Sequence, residues 1–120
     1  MKPKRRYHPP SDSIWYTIKY SRVLHREDGP ALIESDGSTF WYRYGLCHRV
    51  GGPAIEISNG RTEWLLHGKR HREDGPAVIE AYGGKRWFLN GVWFWTKEDW
   101  FEALTPEKQQ VALFSKDFIE

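Results

Sequence analysis

The heptapeptide His71-Arg72-Glu73-Asp74-Gly75-Pro76-Ala77 occurs earlier as His25-Arg26-Glu27-Asp28-Gly29-Pro30-Ala31 and, with both acids lost, as His48-Arg49-Val50-Gly51-Gly52-Pro53-Ala54. The interval is 23 residues both times. In the same register Trp41, Trp64 and Trp87 align, as do Gly45, Gly68 and Gly91, and Gly37, Gly60 and Gly83. Self-similarity at such an interval marks stacked supersecondary units, each burying its apolar face only against its neighbours.

Within a unit the pattern is that of short strands. Ala31 to Ser35 leads into Asp36-Gly37, and Ala54 to Ser58 leads into Asn59-Gly60. Both dipeptides suit the positive φ angles of a tight two-residue hairpin turn. An aromatic strand follows each turn (39–44 and 62–67), then a second glycine; the third unit uses Tyr82-Gly83-Gly84 and Asn90-Gly91. Pro30, Pro53 and Pro76 lack an N–H and belong at the beginnings of strands. Ahead of His25 the pattern decays, with Ile18 in place of Trp and Arg22 in place of Gly, as in a terminal capping unit. Trp15 is expected to replace the missing ring. After Trp95 the periodicity becomes helical. Thr96 precedes Asp99 by three residues, and Thr105-Pro106-Glu107 combines an N-cap hydroxyl, a first-turn proline and an acid near the positive helix end. The fold class expected is mainly β. It is an open, twisted antiparallel sheet of successive 23-residue β-hairpin repeats over residues 11–95, capped by two short helices within 96–120 that hide the last strand. Residues 1–10, with four positive charges and three prolines, read as a flexible basic arm.

With 120 residues the chain is one domain. Aromatics make up 16% of a chain whose mean hydropathy is −0.72, so a few large rings must supply much of the burial. Trp41, Trp64 and Trp87 are the expected core ladder, with a base-stacking platform as the alternative. The net charge of +2 is carried by the arm, and the body is near neutral. One cysteine, Cys47, excludes an intramolecular disulfide and suits a reducing cytosol. No apolar run approaches the roughly 18 residues of a membrane span, and no signal peptide is read.

The 23-residue interval, the Asn-Gly or Asp-Gly hairpin and the stretch Trp64-Leu65-Leu66-His67-Gly68-Lys69-Arg70-His71 resemble MORN repeats, over about residues 18–95. The chain departs from the usual unit where Gly-Pro-Ala and aliphatics replace a second glycine and an aromatic. This variety resembles repeats in uncharacterised phage, giant-virus and bacterial proteins. The resemblance implies an open sheet of hairpins serving as a scaffold, a lipid- or protein-contacting module or, in some bacterial members, an antitoxin.

His25, His48 and His71 share one register, but members of a ladder spaced by about 10 Å cannot converge on one metal. They are read instead as side-chain to backbone hydrogen bonds closing each Gly-Pro turn. Arg26, Arg49 and Arg72 form either a positive stripe for carboxylates or phosphates or ion pairs with Glu27, Asp28, Glu73 and Asp74. Arg49, without local acids, is the one expected to be free. Trp93 and Trp95 stand where the repeat ends and are candidate interface anchors. Cys47 and His48 point to opposite faces of a strand, and no phosphate-cradling loop, HExxH or CxxC occurs. No catalytic residue, cofactor or metal is therefore assigned. The reading is a non-enzymatic protein-protein interaction module, binding through Arg26, Arg49, Arg72, Trp93 and Trp95. In the form the resemblance implies, it is a phage-type or bacterial inhibitor that blocks a host defence or toxin protein, in the host cytoplasm if phage-encoded. The alternative is a nucleic-acid binder using the arm and the arginine stripe; an enzyme comes third.

Overall fold

A computed structural model describes residues 23–119 and the backbone of 5–7 and 13–15. In chain order the strands are β1 (Arg5–Tyr7), β2 (Ser13–Trp15), β3 (Leu32–Ile33), β4 (Thr39–Phe40), β5 (Tyr42–Arg43), β6 (Leu46–Cys47), β7 (Ile55–Glu56), β8 (Thr62–Glu63), β9 (Leu65–Leu66), β10 (Lys69–Arg70), β11 (Val78–Ile79), β12 (Lys85–Leu89) and β13 (Val92–Phe94). The chain is mainly antiparallel β. The main sheet has the order β1-β2-β3-β4-β7-β8-β11-β12-β13, and β5-β6 and β9-β10 are separate two-stranded ribbons. Arg5–Tyr7 thus pairs with β2, although the sequence places it in a flexible arm. The expected roles of the rest of the arm, of the Trp15 ring and of Ile18 and Arg22 fall outside the described residues.

Strands break where a backbone N–H is needed elsewhere. The N–H of Trp41 donates to Ala54 and that of Trp64 to Ala77, separating β4 from β5 and β8 from β9. At Trp87 no unit follows, and β12 runs through as one strand of five residues.

The turns differ from expectation. At Asp36-Gly37 and Asn59-Gly60 only the glycines have positive φ, +94° and +102°. These are three-residue loops with the glycine left-handed, because the Asp36 and Asn59 side chains accept from the N–H two residues on, at 2.9 Å each. The two-residue turns with both φ positive are Tyr44-Gly45, His67-Gly68 and Asn90-Gly91.

Ala31, Ala54 and Ala77 have no exposed surface and line the interior of each unit, and Trp64 packs against the buried cluster of Ala77, Val78 and Phe88. Trp41 and Trp64 are half-buried; of the expected ladder only Trp87 belongs to the buried core. That core joins Trp87 to Trp100, Leu104 and Ala112. Trp100 is fully buried. Removing about 150–250 Å² of indole from water contributes about 4–6 kcal/mol at about 25 cal/mol/Å².

Three helices follow where two were expected: α1 (Lys97–Glu102), α2 (Pro106–Leu113) and α3 (Lys116–Ile119). Thr96 and Thr105 cap the first two, accepting from the N–H groups of Asp99 and Lys108. α3 is too short to show a helical period and is held by tertiary contacts. Phe118 packs against Trp87, Trp100 and Phe101, and its carbonyl accepts from Lys97. The helices cover Trp87 but leave Val92 and Trp93 of the last strand exposed. No helix among the described residues is long and apolar enough to cross a membrane.

Candidate functional site

Each heptapeptide folds its arginine back over its own loop. Nη1 of Arg26, Arg49 and Arg72 donates to the carbonyl of Pro30, Pro53 and Pro76, at 3.2, 3.0 and 3.1 Å. The guanidinium of Arg49 lies 4.0 Å from the Trp41 ring centroid, and that of Arg72 lies 3.9 Å from Trp64. These distances suit cation–π stacking. On the other side, a Cβ added to Gly52 or Gly75 would meet the guanidinium carbon at 2.8 Å. The motif is therefore a sandwich: indole, guanidinium, bare glycine backbone. The repeated tryptophans serve mainly as shelves for it.

The three arginines are not equivalent. Arg26 Nε donates to Asp28 at 3.0 Å, and Arg72 Nε to Asp74 at 2.8 Å. Arg72 Nη2 also reaches Asp117 of α3 at 2.7 Å and is 5% exposed. Arg49, expected to be free, is held: Nη1 bonds both Pro53 and, at 3.2 Å, Glu56. Its tethers are a carbonyl of its own loop and an acid on β7 seven residues ahead, which a search among the adjacent residues misses. One 23-residue step after Arg72, Trp95 stands at the arginine position, and Trp100 covers Trp87 instead, with ring centroids 4.7 Å apart. Trp100 Nε1 donates to the Arg72 carbonyl at 3.1 Å. The C-terminal helices thus dock on the shelf that an arginine occupies in the earlier units.

The histidines latch successive units and do not close the Gly-Pro turns. Nδ1 of His25, His48 and His71 accepts from the N–H of Tyr44, His67 and Asn90, each at 2.9 Å and 19 residues ahead. Those donors are the left-handed residues of the two-residue turns, so each latch supports an otherwise costly backbone. With Nδ1 accepting, Nε2 carries the hydrogen: in His71 it donates to Glu73 at 3.0 Å, and in His25 it faces Glu27 at 3.8 Å. His48 has Val50 instead and stacks on His67 at 4.5 Å. Burial, then the neighbouring His67 and Arg43, push its imidazole below the usual histidine range.

Two openings lie side by side on this face. One, of about 220 Å³, is lined by Arg26, Glu27, Arg43, His48, Arg49 and Val50 with Trp41 as its wall. The other, of about 360 Å³, shares Arg49 and Val50 and runs past Trp64 to Lys108 and Val111 of α2. Burial opposes ionisation of Glu73 at its rim, but hydrogen bonds from Lys108 and His71 outweigh it and hold the carboxyl below the usual range. No family model, curated protein or solved structure matches this chain.

Trp93 and Trp95 project from β13 and the residue after it, 43% and 80% exposed, with ring centroids 4.3 Å apart. They form a pair of their own and line neither opening. Sequence reasoning missed His48, Val50, Lys108 and Val111 as lining residues. The loss of both acids at Val50 and Gly51 was the visible signal for the first two; nothing local marks the helix residues. Burial raises the Cys47 thiol above its ordinary value, which disfavours a thiolate nucleophile. Among the described residues, no three His, Cys, Asp or Glu side chains converge for a metal.

Proposed function

We propose that this protein is a non-enzymatic interaction module, a MORN-like array of 23-residue hairpins that binds and blocks or scaffolds a protein partner. The observation that carries the reading is the exposed pair of Trp93 on the outer strand β13 and Trp95 just after it, beside exposed Val92. An apolar, unpaired sheet edge invites association, and tryptophan is the residue most enriched among interface anchors. A cytoplasmic inhibitor of a host defence or toxin protein is the specific form the repeat resemblance suggests.

The test is affinity capture from bacterial lysate with the intact chain and with a Trp93→Ser/Trp95→Ser variant, across a salt series. Trp95 is mostly exposed and Trp93 in part, and circular dichroism checks that the variant keeps its fold. The expected result is one protein captured by the intact chain, lost by the variant and only weakly salt-dependent. Equal capture by both chains refutes the reading. Recovery of nucleic acid, with log K falling by about 0.9 per contacted phosphate against log salt, would replace it with the nucleic-acid alternative.

A further inference from the structure

The middle unit lacks both carboxylates that its neighbours use. In the flanking units the histidine Nε2 faces a glutamate, Glu27 or Glu73, and the arginine Nε donates to an aspartate, Asp28 or Asp74. Val50 and Gly51 occupy those positions in the middle unit. Among the described residues, His48 Nε2 and Arg49 Nε and Nη2 have no hydrogen-bond partner. These donors line the opening of about 220 Å³, together with Arg26 and Arg43, and Glu27 is its one acidic lining residue. Arg26 is paired with Asp28 and Arg49 Nη1 with Glu56, so what faces this notch, the size of a side chain, is the set of unfilled donors at His48 Nε2 and Arg49 Nε and Nη2.

The molecule itself shows how such donors are satisfied from outside a unit. Asp117 comes from α3 to Arg72 Nη2 at 2.7 Å, and Phe118 beside it packs on Trp87. An acid followed by an aromatic, presented by a helix, is thus a ligand this face already accepts. We infer that the notch at His48 and Arg49 is a receptor for a carboxylate side chain of a partner polypeptide, which supplies in trans the acid that the flanking units carry in cis. The inference rests on the interaction-module reading. A carboxylate matches the free Nε and Nη2 edge of Arg49 as a two-pronged acceptor. Exposed Val50 and Val111 give apolar contact to the residues around that acid.

The test is an NMR titration of the full chain that follows the Arg49 Nε–H and His48 ring signals. The probes are the blocked pentapeptide Ser-Lys-Asp-Phe-Ile, its Asn-for-Asp counterpart and inorganic phosphate. The discriminating variant is Val50→Glu. Val50 is 78% exposed, so the change is tolerated by the fold, and the new carboxylate reaches His48 as Glu73 reaches His71. The expected result is saturable shifts of both signals with the Asp peptide, at least about tenfold weaker with the Asn peptide or in the variant, in line with the loss of a charge-assisted contact. Equal binding of the Asn peptide, or undiminished binding by Val50→Glu, overturns the proposal. Phosphate binding more tightly than the Asp peptide also overturns it, in favour of a nucleic-acid backbone. Capture experiments separate the two levels of inference. If Val50→Glu retains a partner that the Trp93/Trp95 variant loses, the notch assignment falls and the module stands; if neither variant changes capture, both fall.

Discussion

Arg72→Met tests the sandwich most directly, because methionine keeps an apolar stem and removes only the guanidinium. Arg72 is 5% exposed and its charge meets Asp74, Asp117, the Pro76 carbonyl and the Trp64 ring. Removing one member of a fully buried ion pair costs about 3–5 kcal/mol. Here the two acids are 42% and 33% exposed, so water screens them and the pairs contribute about 1 kcal/mol or less each. Pro76 is fully buried, and its carbonyl, left without a donor, costs about 1–3 kcal/mol. Loss of the stack adds about 0.5–1 kcal/mol. The sum, reduced by the retained stem, is about 3–4 kcal/mol. Arg49 is 28% exposed and lacks both the Asp117-type and the Asp74-type partner, so Arg49→Met costs about 1–1.5 kcal/mol. Urea denaturation followed by tryptophan fluorescence separates them. With a slope of about 1.5 kcal/mol/M the midpoint falls by about 2 M for Arg72→Met and by 1 M or less for Arg49→Met. A cycle with Asp117→Asn should return a coupling of about 0.5–1 kcal/mol. Equal midpoint shifts for the two arginines, or a loss below about 1 kcal/mol at Arg72, would show that the sandwich does not hold the loop.

Gly75→Ala places a Cβ 2.8 Å from the Arg72 guanidinium and should cost about 2–3 kcal/mol, whereas Gly60→Ala, with φ +102° but open space, should cost about 1–2 kcal/mol. The Arg72→Met background should suppress the first cost and leave the second, as paired urea titrations would show; suppression of neither refutes the clash. Because His48 titrates below its ordinary value, the folded chain prefers neutral imidazole, so its contribution is complete above the unfolded-chain value of about 6.5. It declines as pH falls from there through the lower folded value, where the unfolded chain takes the proton first. His48→Asn keeps an acceptor for the His67 N–H and should flatten the stability loss between about pH 7 and pH 5; an unchanged slope excludes His48 as its source.

What was legible in the sequence was local. Thr96 and Thr105 cap helices within three residues of themselves, and both caps form as read. The positions of the turns were equally plain. Their types were not, because the Asp36 and Asn59 side chains supply acceptors that let those residues keep negative φ. Trp41 and Trp64 read as core because an aromatic recurs once per unit; Trp64 does pack against the Ala77, Val78 and Phe88 cluster, but each ring also carries an arginine that returns from eight residues ahead. The histidine acceptors likewise find donors 19 residues away, near the far end of the 23-residue interval and beyond any strand or turn pattern. Residues 116–119 are helical because Asp117 and Phe118 are anchored to Arg72 and the aromatic core. At the candidate site the loss of acids in the middle unit was visible, but the carbonyl that holds Arg49 was not.

The histidine latch also works as a ruler. Because each ring accepts from a residue 19 positions ahead, inside the same 23-residue interval, a whole unit can be copied or removed without breaking an acceptor–donor pair. Length can therefore change in steps, from one duplication to the next, while both ends stay as they are. Each added step would bring another guanidinium shelf. The charge of its notch would be written at two codons, those in the positions of Val50 and Gly51: acids there close the notch from within, and their absence leaves it open to a second molecule.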